Sequence, residues 1–213
     1  KFGKSLARSK LLLAFLQLSL VLLIVAAILI LPGSDIYTHV HQSWLFNYMM
    51  QNKVLLSEDF SMLSGHQPLY GSGTFSYAIA GLGWFFFQKS IIKVLEVALF
   101  IGLVLVSLRL FRNKNMLFFW FALIFVKILL PDSYPYLFSM FLFYFGLFLI
   151  RMFREKPFGD IAIATAGLNH PYFAVTNLAT ILLGRWLLFL SSVVILLVQF
   201  LVIKYVFLSG IVD

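Results

Sequence analysis

Hydrophobic residues in this chain come in long unbroken blocks rather than in the stripes of a water-soluble fold. The first block, Leu11 to Leu31, ends at Pro32-Gly33, a pair that stops a helix. At about 1.5 Å per residue it is long enough to cross a hydrocarbon core of about 30 Å. Ile91 to Phe111 and Trp186 to Leu208 are as long, and Pro131-Asp132 separates two shorter spans, Met116 to Leu130 and Tyr134 to Ile150. Residues 75–87 (FSYAIAGLGWFFF) are apolar but too short to cross, which predicts a juxtamembrane or interfacial helix. Ile161 to Leu183 is interrupted by Asn169-His170-Pro171 and reads as one kinked helix or as two short segments meeting at His170. The pattern predicts one all-α domain over 1–213, a polytopic transmembrane bundle of about six or seven spans. Its parts are a first span at 11–31, an outer loop with juxtamembrane helices at 33–89, and the remaining spans at 91–208.

Composition points the same way. Of 213 residues 62% are hydrophobic and only 11% charged, and the mean hydropathy is +1.00. A soluble domain carries roughly a quarter charged residues, so lipid is the solvent this chain is built for. The net charge of +8 lies in short clusters between apolar blocks. Lys1, Lys4, Arg8 and Lys10 precede the first span; Arg109, Arg112 and Lys114 follow one span, and Arg151, Arg154 and Lys156 follow another. That distribution places the N-terminus in the cytoplasm and residues 33–89 outside, and it excludes a nucleic-acid-binding patch. Residues 11–32 are too long and too apolar for a signal-peptide core, which predicts a retained span. Cysteine is absent, which removes disulfides, thiolate metal sites and thiol nucleophiles.

Candidate chemistry starts just after the first span. Ser34 is a good helix N-cap, and Asp35, Thr38, His39 and Gln42 then fall on one helical face. Ile36, Val40, Trp44 and Tyr48 fall on another, giving an amphipathic helix on the outer leaflet. Its polar face is either simply solvated or carries Asp35 as a general base or metal ligand above the bilayer. Downstream, Gly65-His66-Gln67-Pro68-Leu69-Tyr70 is a turn-rich return in which His66 is a candidate phosphate donor.

Two features lie within apolar blocks. Lys127 costs roughly 3 kcal/mol to insert and therefore pairs with Asp132, snorkels, or meets a phosphate. Glu96 stands three residues after Lys93, the spacing of a local ion pair. His170, at the Asn169-His170-Pro171 break, is either part of a plain kink or a site residue facing the outer cavity.

The order of these motifs resembles the GT-C superfamily of membrane glycosyltransferases. The resemblance rests on a basic N-terminus, one span, D-I-Y-T-H (Asp35 to His39), G-H-Q-P-L-Y (Gly65 to Tyr70), P-D-S-Y-P-Y (Pro131 to Tyr136) and G-L-N-H-P-Y (Gly167 to Tyr172). It implies a prokaryotic plasma-membrane enzyme, archaeal or bacterial, that moves a sugar from a polyprenyl-phosphate donor to an acceptor on the outer face. It further implies Asp35 as the catalytic base, Asp132 as an assisting carboxylate, and His39, His66, Lys127 and His170 as substrate contacts. A divalent ion, Mg or Mn, would sit at Asp35. Complete members are longer and carry more spans, so the chain corresponds to an N-terminal transmembrane portion or to a reduced homologue. No tandem acidic pair follows the first span; Asp35 stands alone.

Two other classes compete with the enzyme. A non-catalytic subunit would use the same helices to bind lipid, a lipid-linked sugar or other membrane subunits. A transporter is disfavoured, because few ionisable residues fall mid-span and no internal repeat is evident.

Overall fold

The computed structural model describes residues 2–30, 36–52, 74–111, 117, 120, 121, 124, 133–153, 157–182 and 186–202. These residues are almost wholly helical, and no strand occurs among them. The helices are α1 (Phe2–Ile30), α2 (Ile36–Asn52), α3 (Thr74–Phe87), α4 (Ile91–Leu110), α5 (Ser133–Met152), α6 (Phe158–Asn169), α7 (Pro171–Leu182) and α8 (Trp186–Val202). A 3₁₀ turn over Gln88–Ser90 joins α3 to α4.

Three stretches are long and apolar enough to cross a membrane: Lys10–Ile30 in α1, Phe75–Leu110, and Tyr134–Met152 in α5. Among the described residues that is fewer than the six or seven spans the sequence pattern predicts. Phe75–Leu110 is not one straight helix. Gln88 adopts φ 46°, a left-handed conformation rare outside glycine, and the chain turns there. A Cβ added at Gly83 would lie 2.5 Å from Ile91 Cδ1, so α3 folds back toward the start of α4. The stretch therefore divides into α3, the short helix expected over 75–87, and α4, which at about 30 Å is by itself long enough to cross. Of the span expected at Met116–Leu130, the described Leu117, Phe121 and Ile124 are buried at helical spacing in a core with Ile24, Ile28, Phe100 and Leu103.

The interruption at Asn169-His170-Pro171 gives two helices. Proline disfavours helical geometry in the residue before it, and His170 is extended at φ −146°, ψ 130°. Pro171 then opens α7, a position where its missing N–H costs nothing. Asn177 Nδ2 donates to the Ile163 carbonyl at 2.8 Å, a bond that a single straight helix across fourteen residues could not make. α6 and α7 therefore form a hairpin. At about 18 Å each, both are too short to cross the bilayer alone.

Lipid offers no hydrophobic drive between helices, so close backbone approach has to hold them together. Gly146 of α5 and Gly159 of α6 supply it. A Cβ on Gly146 would sit 2.8 Å from the Gly159 carbonyl, and one on Gly159 would sit 2.6 Å from the Gly146 carbonyl. At Gly102 of α4 the space a Cβ would take is filled by the Phe141 ring of α5, 2.7 Å away.

These contacts define two ends of the bundle. At one end Arg151 Nη1 lies 3.5 Å from the carbonyls of Arg109 and Leu110, so the basic tails of α4 and α5 coincide. At the other, Lys93 Nζ donates to the Leu29 carbonyl at 2.6 Å, which sets the start of α4 level with the end of α1. The α6–α7 hairpin leaves the basic end, where Gly159 meets Gly146. It turns beside Pro135 and Ser139 near the opposite end and comes back.

Candidate functional site

Polar side chains collect where the α6–α7 tip meets the first turns of α3 and α5. Ser76 is the third residue of α3, so its N–H has no acceptor within its own helix. The Asn169 carboxamide supplies one: Ser76 N donates to Asn169 Oδ1 at 3.0 Å. Asn169 Nδ2 donates to Ser139 Oγ at 2.9 Å and to the Pro135 carbonyl at 3.2 Å. Tyr134 OH donates to the Ser76 carbonyl at 2.7 Å and closes the circuit between α3 and α5. All of these side chains are buried. In a lipid-surrounded interior each bond replaces an unsatisfied group that would cost several kcal/mol.

Next to this circuit lies a trio of rings. His39 Nδ1 and Tyr77 OH are 2.8 Å apart, and the His39, Tyr77 and Tyr134 centroids lie 5.8 to 6.3 Å from one another. Glu96 is buried on α4. Its expected partner Lys93 reaches instead to the Leu29 carbonyl.

The two faces of α2 are split differently from the pattern. His39, Gln42 and Ser43 are buried together with Leu45, Phe46 and Met49, whereas Tyr37 is 80% exposed and Thr38, Trp44 and Tyr48 are also exposed. α3 supplies the reason. It presents the Tyr77 hydroxyl, and the Gly81 carbonyl accepts from Asn47 Nδ2 at 3.0 Å. A Cβ at Gly81 would lie 2.8 Å from Phe46 Cδ1, so the two helices touch only because that position is glycine. Polar side chains gain partners on this side and would gain none facing lipid.

His170 is buried in an aromatic corner. Tyr136 meets it edge-on at 5.3 Å and Phe173 at 6.4 Å, while its carbonyl accepts the N–H of Phe173 at 3.0 Å. Of the candidate site residues, His39 and His170 are therefore both placed in one polar layer. They are joined through Tyr77 and Ser76, adjacent on α3, and Asn169, adjacent to His170. Asp35, His66, Lys127 and Asp132 lie outside the described residues. In sequence, Asp35 stands four residues before His39 and Asp132 two before Tyr134.

Sequence reasoning missed Tyr77, Tyr134, Ser76 and Ser139 as members of this layer. Only Tyr134 carried a signal, as part of P-D-S-Y-P-Y; the others are ordinary residues of apolar helices until their neighbours are known. Among the described residues no group of three His, Asp or Glu side chains converges to hold a metal ion. A groove of about 550 Å³ along Leu11, Leu12, Ala14, Phe15 and Leu18 is an apolar helix flank remote from this chemistry. No known protein family, curated protein or solved structure matches this chain.

Proposed function

We propose that this chain is the membrane-embedded portion of a GT-C-type glycosyltransferase, moving a sugar from a polyprenyl-phosphate donor to an acceptor at the outer face. One observation carries the reading: the segments that directly follow the two candidate acids meet in a buried polar layer, at the end of the bundle opposite Arg109 and Arg151. Positive charge marks the cytoplasmic side, so this layer faces outward. The acceptor hydroxyl oxygen attacks the anomeric carbon, and the bond from that carbon to the phosphate oxygen breaks. Asp35 takes the hydroxyl proton, Asp132 assists as a second carboxylate, and His66 and Lys127 offset the charge of the leaving phosphate. His39 and His170 contact substrate from the layer itself. The described residues offer no three-ligand group for the Mg or Mn ion that the resemblance implies.

A second reading has its own support. All three bonds of Asn169 go to backbone or serine partners, which is how a structural lock is built. Under it the chain is a non-catalytic membrane subunit that binds a lipid-linked sugar or another membrane protein. The test is sugar transfer from a radiolabelled polyprenyl-phosphate donor pool by membranes carrying wild type, Asp35→Asn or Asp132→Asn at equal abundance. Transfer present in wild type and abolished by Asp35→Asn supports the enzyme. Equal transfer in all three, or none in any, leaves the subunit.

A further inference from the structure

Glu96 is a buried carboxyl that the proposed reaction does not use. On α4 it belongs to a stripe of buried residues, Ile92, Glu96, Phe100, Leu103 and Ser107, spaced three and four apart. On one side of it along the helix, Ile92 packs with Tyr77 and Tyr134 of the polar layer. On the other, Phe100 packs in the core with Ile24, Ile28 and Phe121. The carboxyl therefore stands at the seam between the polar layer and the apolar interior of the bundle. An ionisable side chain at that depth is costly unless a group of opposite charge meets it. Lys93, one turn away, is engaged with α1 through the Leu29 carbonyl.

The span predicted over Met116 to Leu130 faces the same stripe, and its described residues give the register. Trp120 Nε1 donates to Ser107 Oγ at 3.1 Å, and the Phe100 and Phe121 rings lie 6.5 Å apart. Residue numbers therefore rise on this span as they fall on α4. Lys127 lies outside the described residues, and this register places it. Counted from Ser107 and Trp120, Lys127 falls about 6 Å short of Glu96; counted from Phe100 and Phe121, it falls about 3 Å past. The two contacts bracket the position. Direction around the helix agrees: Lys127 lies about 20° from Trp120, and Glu96 about 20° from Ser107. Asp132, by contrast, stands about 140° round from Lys127 and beyond the break at Pro131.

We infer that Glu96 and Lys127 form an intramembrane ion pair, which holds the lysine ammonium in the bundle interior beside the polar layer rather than at the membrane surface. The pairing does not depend on the sugar-transfer reading. Within that reading it sets the depth at which the ammonium meets a phosphate.

The full-length chain, isotope-labelled at lysine Nζ and glutamate Cδ, is reconstituted in phosphatidylcholine vesicles and measured by solid-state nuclear magnetic resonance. The pair predicts a dipolar coupling between the two labels at a separation of about 4 Å. That coupling is expected to vanish in Lys127→Arg and in Glu96→Asp, each of which keeps its charge and removes the labelled atom. Absence of the coupling in wild type, or its survival in either variant, overturns the inference. A double-mutant cycle in micelles gives a second reading. Glu96→Gln strands the ammonium and Lys127→Met strands the carboxylate, so each is expected to lower the unfolding midpoint, and the double variant to recover most of the loss. Losses that simply add overturn the inference. So does recovery of Lys127→Met by Asp132→Asn in place of Glu96→Gln, since it names another partner.

Discussion

The Asn169 side chain caps a helix to which it does not belong. Its Oδ1 accepts the Ser76 N–H, a first-turn donor of α3, while its Nδ2 holds Ser139 and the Pro135 carbonyl of α5. A single carboxamide thus ties the hairpin tip to two other helices, and His170 sits where it does because its neighbour is fixed. Replacing Asn169 with leucine leaves the Ser76 N–H buried without that acceptor. At about 1–3 kcal/mol for an unsatisfied buried group, the variant is expected to lose stability in that range, read from SDS-induced or thermal unfolding in micelles. Asn169→Asp sets a buried carboxylate oxygen against the Pro135 carbonyl and is expected to cost at least as much.

Backbone contact at Gly146 and Gly159 makes a graded prediction. Gly146→Ala and Gly159→Ala each drive a methyl group against a carbonyl oxygen of the facing helix, which cannot yield without the helices parting. Each is expected to cost about 1–3 kcal/mol. Gly83→Ala meets only the end of the Ile91 side chain, which can rotate away, and is expected to cost less. Unfolding of the three variants side by side checks the order.

The His39–Tyr77 contact is measurable by a double-mutant cycle. His39→Phe and Tyr77→Phe each remove the bond, and together they are expected to show a coupling of about 0.5–1.5 kcal/mol. A coupling near zero would mean that the two side chains do not meet in the bilayer.

The α6–α7 hairpin predicts topology. If it leaves and regains the basic end, single cysteines at Pro157 and Trp186, both exposed, are labelled by an impermeant maleimide from the same side of the membrane as Phe153. A continuous helix over 158–182 would be long enough to cross and would place Trp186 on the side opposite Pro157. Ser90, at the other end of α4, is expected to label only from the outside.

Much of this architecture is written in the sequence. α1, α4, α5 and α8 begin or end within a few residues of the apolar blocks, because in lipid a block of apolar residues is itself the signal. The short helix at 74–87 followed from its length alone. The break at His170 was visible in Pro171, but whether the chain continued or doubled back depended on Asn177 reaching Ile163, a contact no local pattern encodes. The packing of α2 was legible only in part, for a different reason. Periodicity tells which residues share a face, not whether that face meets water, lipid or another helix, and Gly81 opposite Phe46 decided the matter. Within the candidate site, His39 and His170 stood out as rare polar residues, whereas Tyr77 and Tyr134 were lost among 25 phenylalanines and nine tyrosines.

The proposed function requires Asp35 and Asp132 to face one site at the end of the bundle away from Arg109 and Arg151. Its most direct test is cross-linking in the cysteine-free chain. Asp35→Cys with Asp132→Cys, treated with a short bis-maleimide in native membranes, is expected to give an intramolecular link seen as a gel shift. His39→Cys with Tyr77→Cys serves as the contacting control, and Asp35→Cys with Phe153→Cys as the distant one. A link in the first two pairs and none in the third is the predicted result. A link in the control pair with none between positions 35 and 132, or a link between positions 35 and 153, would contradict it.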